Sequence, residues 1–356
     1  MATTSLSHVY TDTHLHYTHI VPLDFAAVDD LPESHTWTNT HTTRAGGGGL
    51  HLPAAVPTIN LRSPSAAALV GDACREWGMF QVTNHGVPAG LVEDVEAHAR
   101  RLFELPAEQK LKAVRAPNGA TGYGVARISP FFTKLMWHEG FTIMAGSAVE
   151  HAKLLWPLHY HEFCCRDAMD NYQKKMKSLA YKLFLIILKS LGYDEDNQET
   201  SLLSASLNQS EGALQLNSYP SCPNPSRAIG LAPHTDSLLL TILHQNDTNG
   251  LQIFREGGVG WVPVTPLKGA LVINVGDLMH ILSNGCFPTV YHRVVPNETR
   301  RHRFSVAYFY GPPADSTVAP LVAVGRQFPR FRAVTVREYI GLKNKHLEKA
   351  IGLIKI

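Results

Sequence analysis

His234 and Asp236 stand two residues apart in "LAPHTDSLLLTILHQ", Leu231 to Gln245, a run of Leu, Ile and Thr that reads as one β-strand. Residues i and i+2 of a strand share a face, so this imidazole and carboxylate would project together from an apolar wall. Buried polar groups need a partner. His292, in the β-type run "TVYHRVV", lies far enough along the chain for its strand to return beside the first. Two histidines and one carboxylate on neighbouring strands form the facial donor set of non-haem Fe(II), which leaves three coordination positions open. A structural zinc site would be closed by four protein ligands, usually including cysteine. The open face points to catalysis.

Alone, the His-x-Asp pair is weak evidence in a chain with 19 histidines, where a hydrogen-bonded turn is an equal reading. A second such spacing, "HLE" at His346–Glu348, falls on a helix, where i and i+2 do not share a face. Arg303 and Ser305 in "RFS" form a further i, i+2 pair. A buried guanidinium is costly unless an anion meets it. A protein carboxylate would serve. Beside an iron face, guanidinium and hydroxyl also suit the distal carboxylate of a small dicarboxylic acid.

These groups need elements to hold them. From Val56, "VPTINL" and "WGMFQVTNHGV" read as strands around a helix, and a helix-rich stretch runs to about residue 205. It includes a buried helix from Tyr172 to Leu191, ended by Gly192. Short strands punctuated by Gly, Pro and Asn then follow to about residue 312, the texture of a sandwich or jelly roll. A last helix, about 336–350, starts with a capping box at Thr335 and Glu338. Residues 1–55, with "AGGGG" at Ala45–Gly49, read as a partly flexible arm. Its "DTHLHYTH", Asp12 to His19, reads as exposed polar chain more readily than as a metal site.

At 356 residues, 44% hydrophobic, 17% charged and a formal net charge of +2, the composition is that of a soluble globular protein. The basic residues form no stripe, which argues against nucleic acid. Five cysteines without a CxxC pair support neither a disulfide scaffold nor a structural zinc. The apolar run Leu183–Leu188 is far too short for a bilayer span and no signal peptide opens the chain, so a cytoplasmic protein is expected.

"ACREWGMFQVTNHGV", "LNSYPSCPNP", "HTD", "YHRVV" and "RFSVAYFYGPP" occur in an order and spacing that resemble the plant 2-oxoglutarate- and Fe(II)-dependent dioxygenases, over residues 56–356. The resemblance implies a mixed α/β (α+β) fold, a distorted double-stranded β-helix (jelly-roll) core wrapped by helices, as one catalytic domain. It implies that His234, Asp236 and His292 bind Fe(II) and that Arg303 and Ser305 hold 2-oxoglutarate. Asn217 and Tyr219 match the Asn-x-Tyr pair that lies near the co-substrate in the family, although a capped strand end would explain them too. It implies O2 as oxidant, succinate and CO2 as co-products, and ascorbate as reductant.

Within the family, "LPESHTW", "TGYGVARISPFFTKLMWHEGFTI", "LLWP" and "HTDSLLLTILHQNDTNGLQIF" are most similar to the gibberellin 3-oxidases. That narrower resemblance implies hydroxylation of a nineteen-carbon gibberellin on the β face of carbon 3; separately, a monomer is expected. A related dioxygenase acting at another gibberellin position or on a flavonoid, or a non-catalytic jelly-roll binding protein, is the alternative. A rigid apolar acid calls for aromatic walls and a positive group. Tyr123, Phe131, Trp137 and Phe309 are candidate walls, and Arg127 or Lys134 a candidate carboxylate partner.

Overall fold

The computed structural model describes residues 16–38, 55–144, 147–158, 166–194, 198–210, 212–256, 260–299, 301–322 and 328–356. The strands of its two larger sheets are β1 (Thr58–Asn60), β2 (Met79–Thr83), β3 (Gly122–Gly124), β4 (Glu139–Met144), β5 (Ala213–Tyr219) and β6 (Leu231–His234), then β7 (Leu240–Gln245), β8 (Leu251–Arg255), β9 (Gly260–Pro263), β10 (Leu271–Val275), β11 (His292–Val294) and β12 (Arg303–Tyr310). Eight of them form one sheet in the order β1-β2-β10-β7-β12-β5-β4-β3, and four form a second, β6-β11-β8-β9. All neighbours run antiparallel except β1 and β2. This is the helix-wrapped jelly roll the sequence leads one to expect.

The period of two along each strand divides the larger sheet into an outer and an inner face. On β12, Phe304, Val306, Tyr308 and Tyr310 join the main core with the helices, whereas Arg303, Ser305, Ala307 and Phe309 line the space between the sheets. On β5 the same alternation sends Leu214 and Leu216 outward to the helices and Gln215, Asn217 and Tyr219 inward. The register places these sets opposite one another, with Arg303 against Tyr219 and Ser305 against Asn217.

The helix Arg166–Ser190 backs the outer face. Tyr172, Met176, Leu179, Ala180, Leu183, Phe184, Ile187 and Leu188 recur at three- and four-residue spacing and are all buried. Each large side chain in that stripe contributes roughly 1.5–3 kcal/mol of burial free energy. The helix begins earlier than the apolar pattern indicates and stops where Gly192 takes φ 89° and Tyr193 N–H closes on the Leu188 carbonyl at 3.1 Å. The C-terminal helix Val336–His346 starts as expected, with the Glu338 amide donating to Thr335 Oγ1 at 3.1 Å.

Two expectations need correction. "LAPHTDSLLLTILHQ" is two strands: β6 ends at His234, and the chain crosses at residues 235–239 from the small sheet to the large one before β7 begins. Asp236 lies in that crossing, not on the strand. The crossing is fixed by backbone bonds, Asp277 N–H to Asp236 O at 2.8 Å and Gly276 N–H to Leu239 O at 3.0 Å.

The second concerns the N-terminal arm. Residues 16–38 pack against the domain: Ile20 is fully buried and accepts from Val125 N–H at 2.8 Å, and the Phe25 ring meets Trp137 edge-on at 4.7 Å. Apolar residues spaced irregularly among polar ones gave this coat no periodic signature. "AGGGG" and Asp12–Leu15 lie outside the described residues.

Candidate active site

His234 and His292 are cross-strand partners on β6 and β11, which brings their ring centroids to 4.3 Å. Each Nδ1 lies within hydrogen-bond distance of a carbonyl two residues back, Ala232 O at 2.8 Å and Val290 O at 3.1 Å. A carbonyl can only accept, so both Nδ1 atoms carry the proton and both Nε2 lone pairs are free. Both Nε2 atoms lie 3.8 Å from Asp236 Oδ1, too far for a hydrogen bond and open to a cation between them. The three ligand atoms fall within 4.8 Å of one another.

Electrostatics keep that donor set in binding form. Burial, then the neighbouring His292, pushes the His234 imidazole down to about 3, so it is neutral. Burial alone would raise Asp236, but the two imidazoles and a 3.1 Å bond from Asn274 Nδ2 outweigh it and hold the carboxyl below its ordinary value. Two imidazoles that turn Nε2 toward a carboxylate, with the second Asp236 oxygen oriented by Asn274, fit a divalent cation of the Fe(II) class.

Arg303 is 1% exposed, and among the described residues no carboxylate pairs with it. Nη2 donates to Gln245 Oε1 at 2.9 Å, while Nε and Nη1 have no acceptor. The guanidinium carbon lies 5.0 Å from the centre of the Tyr219 ring. Ser305 Oγ accepts from Asn217 Nδ2 at 3.4 Å, and Asn217 Oδ1 accepts from His138 Nε2–H at 3.0 Å. A buried cation with two unused donors beside a hydroxyl matches the charge and shape of a carboxylate.

One cavity contains all seven of these residues, His234, Asp236, His292, Arg303, Ser305, Asn217 and Tyr219. Of the six candidates for a substrate wall, Arg127, Phe131 and Phe309 line it. The other three do not. Tyr123 is buried on the opposite side, with its hydroxyl donating to Glu139 Oε2 at 2.6 Å. Trp137 gives its indole N–H to Pro220 O at 3.0 Å under the N-terminal coat, and Lys134 reaches the Glu33 carbonyl at 2.9 Å. An aromatic-rich segment cannot reveal from sequence which of its residues turn inward.

Arg115 was not foreseen. It lines the cavity, is 2% exposed, donates from Nη2 to Val125 O at 2.8 Å and leaves Nε without an acceptor. Burial, and then Arg127 nearby, pulls it down to about 9, and no carboxylate among the described residues offsets either effect. In sequence it is one arginine among many, with no i, i+2 partner to mark it. Ile340, Lys343 and Leu347 of the C-terminal segment also close the cavity and were likewise not foreseen.

Residues 210–312 match the 2OG-Fe(II) oxygenase superfamily, and residues 56–163 match the family described as non-haem dioxygenase in morphine synthesis N-terminal. The chain is 48% identical to "Gibberellin 3-beta-dioxygenase 1" of Pisum sativum, over 99% of this chain and 94% of that one. It is 47% identical to the protein of that name from Arabidopsis thaliana, over 96% and 95%. Among solved structures it resembles JOX2 in complex with 2OG, Fe and JA, with a TM-score of 0.75 and 26% identity over 93% of this chain and 95% of that one. A dioxygenase for auxin oxidation in rice has a TM-score of 0.67 and 27% identity over 85% of this chain and all of that one. Similarity at nearly full length, on a fold that gathers this donor set, leaves one assignment: the chain belongs to the 2OG-Fe(II) oxygenase superfamily.

Proposed function

We propose that the chain is a 2-oxoglutarate- and Fe(II)-dependent dioxygenase that hydroxylates nineteen-carbon gibberellin precursors on the β face of carbon 3. The observation that carries the chemistry is the pairing, in one cavity, of a His234–Asp236–His292 face with the unpaired Arg303 guanidinium. The names of the Pisum and Arabidopsis relatives support the substrate and position.

In this reading His234, Asp236 and His292 would hold ferrous iron, kept reduced by ascorbate, and when bound it would supply the O2 activation that couples oxidative decarboxylation of 2-oxoglutarate to hydroxylation of a carbon–hydrogen bond. Arg303 Nε and Nη1 take the distal carboxylate of 2-oxoglutarate, and the Ser305 hydroxyl completes that pocket. Asn217, fixed by His138, orients Ser305. Phe309 and Phe131 form apolar walls for the ring system, and Arg127, joined by Arg115, faces its carboxylate. The chain places and shields the reactants and needs no nucleophile of its own.

The test is incubation with Fe(II), 2-oxoglutarate, ascorbate and air against a panel of gibberellin precursors and flavanones. A 3β-hydroxylated gibberellin formed in step with succinate is expected. Hydroxylation elsewhere, or of a flavanone, overturns the substrate assignment; no succinate with any substrate overturns the chemistry.

A further inference from the structure

"HLE", whose His and Glu share no face on a helix, lies in the structure at the site itself, through Glu348. Thr235, the residue between His234 and Asp236, donates its amide to Glu348 Oε1 at 3.2 Å and its hydroxyl to Glu348 Oε2 at 2.9 Å. Lys343, 7% exposed, stands behind them and gives its ammonium protons to Asp277 Oδ2 at 2.7 Å, to Glu348 Oε2 at 3.2 Å and to Thr235 Oγ1. Asp277 also accepts from the Tyr339 hydroxyl at 2.7 Å and donates its amide to Asp236 O. The ligand-bearing crossing is thus gripped from both sides by groups tied to the chain's last helix.

Backbone conformation points the same way. Leu347, which ends the helix, has φ 47° and ψ −121°, a region that L residues with a side chain rarely adopt and that persists only where its surroundings over-determine it. At this kink Leu347 lines the cavity while the next residue, Glu348, reaches Thr235. Ile340, Lys343 and Leu347, at helical spacing, wall the same cavity. Buried charges are tolerated when paired and fully hydrogen-bonded, and here one ammonium is shared by two carboxylates and a hydroxyl.

We infer that Glu348 and Lys343 are positioning residues for the metal: the C-terminal hook sets the placement of His234 and Asp236 and thereby the affinity for Fe(II). The inference rests on the reading of His234, Asp236 and His292 as the iron face. Groups that orient metal ligands from behind typically alter affinity ten- to a hundredfold when removed. Coupling of this kind is reciprocal, so metal binding must also firm the hook.

The experiment is anaerobic titration of Fe(II) into the full chain by calorimetry, for the wild type, Glu348→Ala and Glu348→Gln, with thermal unfolding of each metal-free protein. Glu348→Ala is expected to lose about ten- to a hundredfold in Fe(II) affinity. Glu348→Gln, which keeps an acceptor oxygen for the Thr235 amide, should recover most of that loss. In the wild type, amide exchange across 336–356 should slow when Fe(II) is added. A lowered melting temperature with unchanged Fe(II) affinity would make Glu348 a structural residue and overturn the inference. Should Glu348→Ala not fold, Thr235→Val removes the hydroxyl arm at constant shape, and unchanged Fe(II) affinity there overturns it equally. A wild type that binds no Fe(II) refutes the iron face itself, a distinguishable failure.

Discussion

Arg303 faces Tyr219 directly across the β12–β5 pair, its guanidinium carbon 5.0 Å from the ring centre and two of its nitrogens without acceptors. The face of an aromatic ring softens a buried cation but does not neutralise it. Burial accordingly drags Arg303 below the usual arginine range. Such a residue costs stability in the empty protein and returns it when an anion arrives. Arg303→Met should therefore leave the melting temperature of the ligand-free protein unchanged or higher, while the stabilisation by 2-oxoglutarate disappears. One charge-assisted partner of roughly 1.5–3 kcal/mol corresponds to one to two decades in the KM for 2-oxoglutarate. Thermal shift with and without 2-oxoglutarate reads both effects, and an unaltered ligand shift would move the anchor elsewhere.

Gly276 sits where the crossing that carries Asp236 passes β10. A Cβ there would meet the Leu238 carbonyl oxygen in hard collision and lie 3.1 Å from Asp236 O. Both obstacles are backbone and cannot rotate away. Gly276→Ala should destabilise the protein by roughly 3 kcal/mol, the upper end for overpacking, and weaken metal binding along with it. Denaturant unfolding and Fe(II) titration of the same variant check this, and a variant as stable as the wild type would show that the crossing yields more easily than its contacts indicate.

What the sequence disclosed, and what it withheld, follows from the range of each signal. Strand periodicity, glycine stops and the Thr335 cap are local, so the β-rich half and both long helices were legible. Arg303 with Ser305 could be read because one strand carries both at an even spacing. The union of His234 with Asp236 was anticipated for an incomplete reason, since the strand stops at His234 and a crossing between sheets, not a pleat, delivers Asp236. Arg115 and Lys343 reach the site from distant segments through tertiary packing, and nothing beside them in sequence marks them, whereas Glu348 stands in the marked "HLE" spacing but reaches the site only because the helix ends at His346. Trp137 and Tyr123 fail as substrate walls because burial has two sides, and composition cannot choose between them.

Arg115 and Arg127 give the cavity a second positive region, and among the described residues no carboxylate offsets the burial of Arg115 or its repulsion by Arg127. A substrate carboxylate placed there would relieve the repulsion between them. Wild-type enzyme should prefer a free-acid gibberellin precursor to its methyl ester by about one to two decades in kcat/KM, the worth of a charge-assisted bond. In Arg115→Met that preference should shrink, because the ester loses nothing when the cation goes. Competition between acid and ester in one reaction measures it, and an undiminished preference would assign the carboxylate to Arg127 alone.

His138 offers a pH test away from the proposed metal ligands. It is 1% exposed, donates to Asn217, and lies 5.0 Å ring to ring from Tyr219. Burial pushes it down from 6.5 to about 4, the bond to Asn217 opposes that shift, and Arg115 and Arg303 add to it. The folded chain thus keeps His138 neutral while the unfolded chain protonates it near 6.5. Between those values the unfolded state binds more protons, so stability is fully present above pH 6.5 and falls as the pH drops towards 4. At about 1.36 kcal/mol per unit, the whole window is worth roughly 3 kcal/mol. His138→Gln keeps a donor for Asn217 but cannot titrate. Its unfolding free energy should therefore decline less than that of the wild type between pH 7 and pH 4.5. His302, which burial also lowers to about 4, is present in both proteins and cancels in the comparison. A difference between the two proteins that stays constant across that range would mean that His138 does not carry the acid sensitivity.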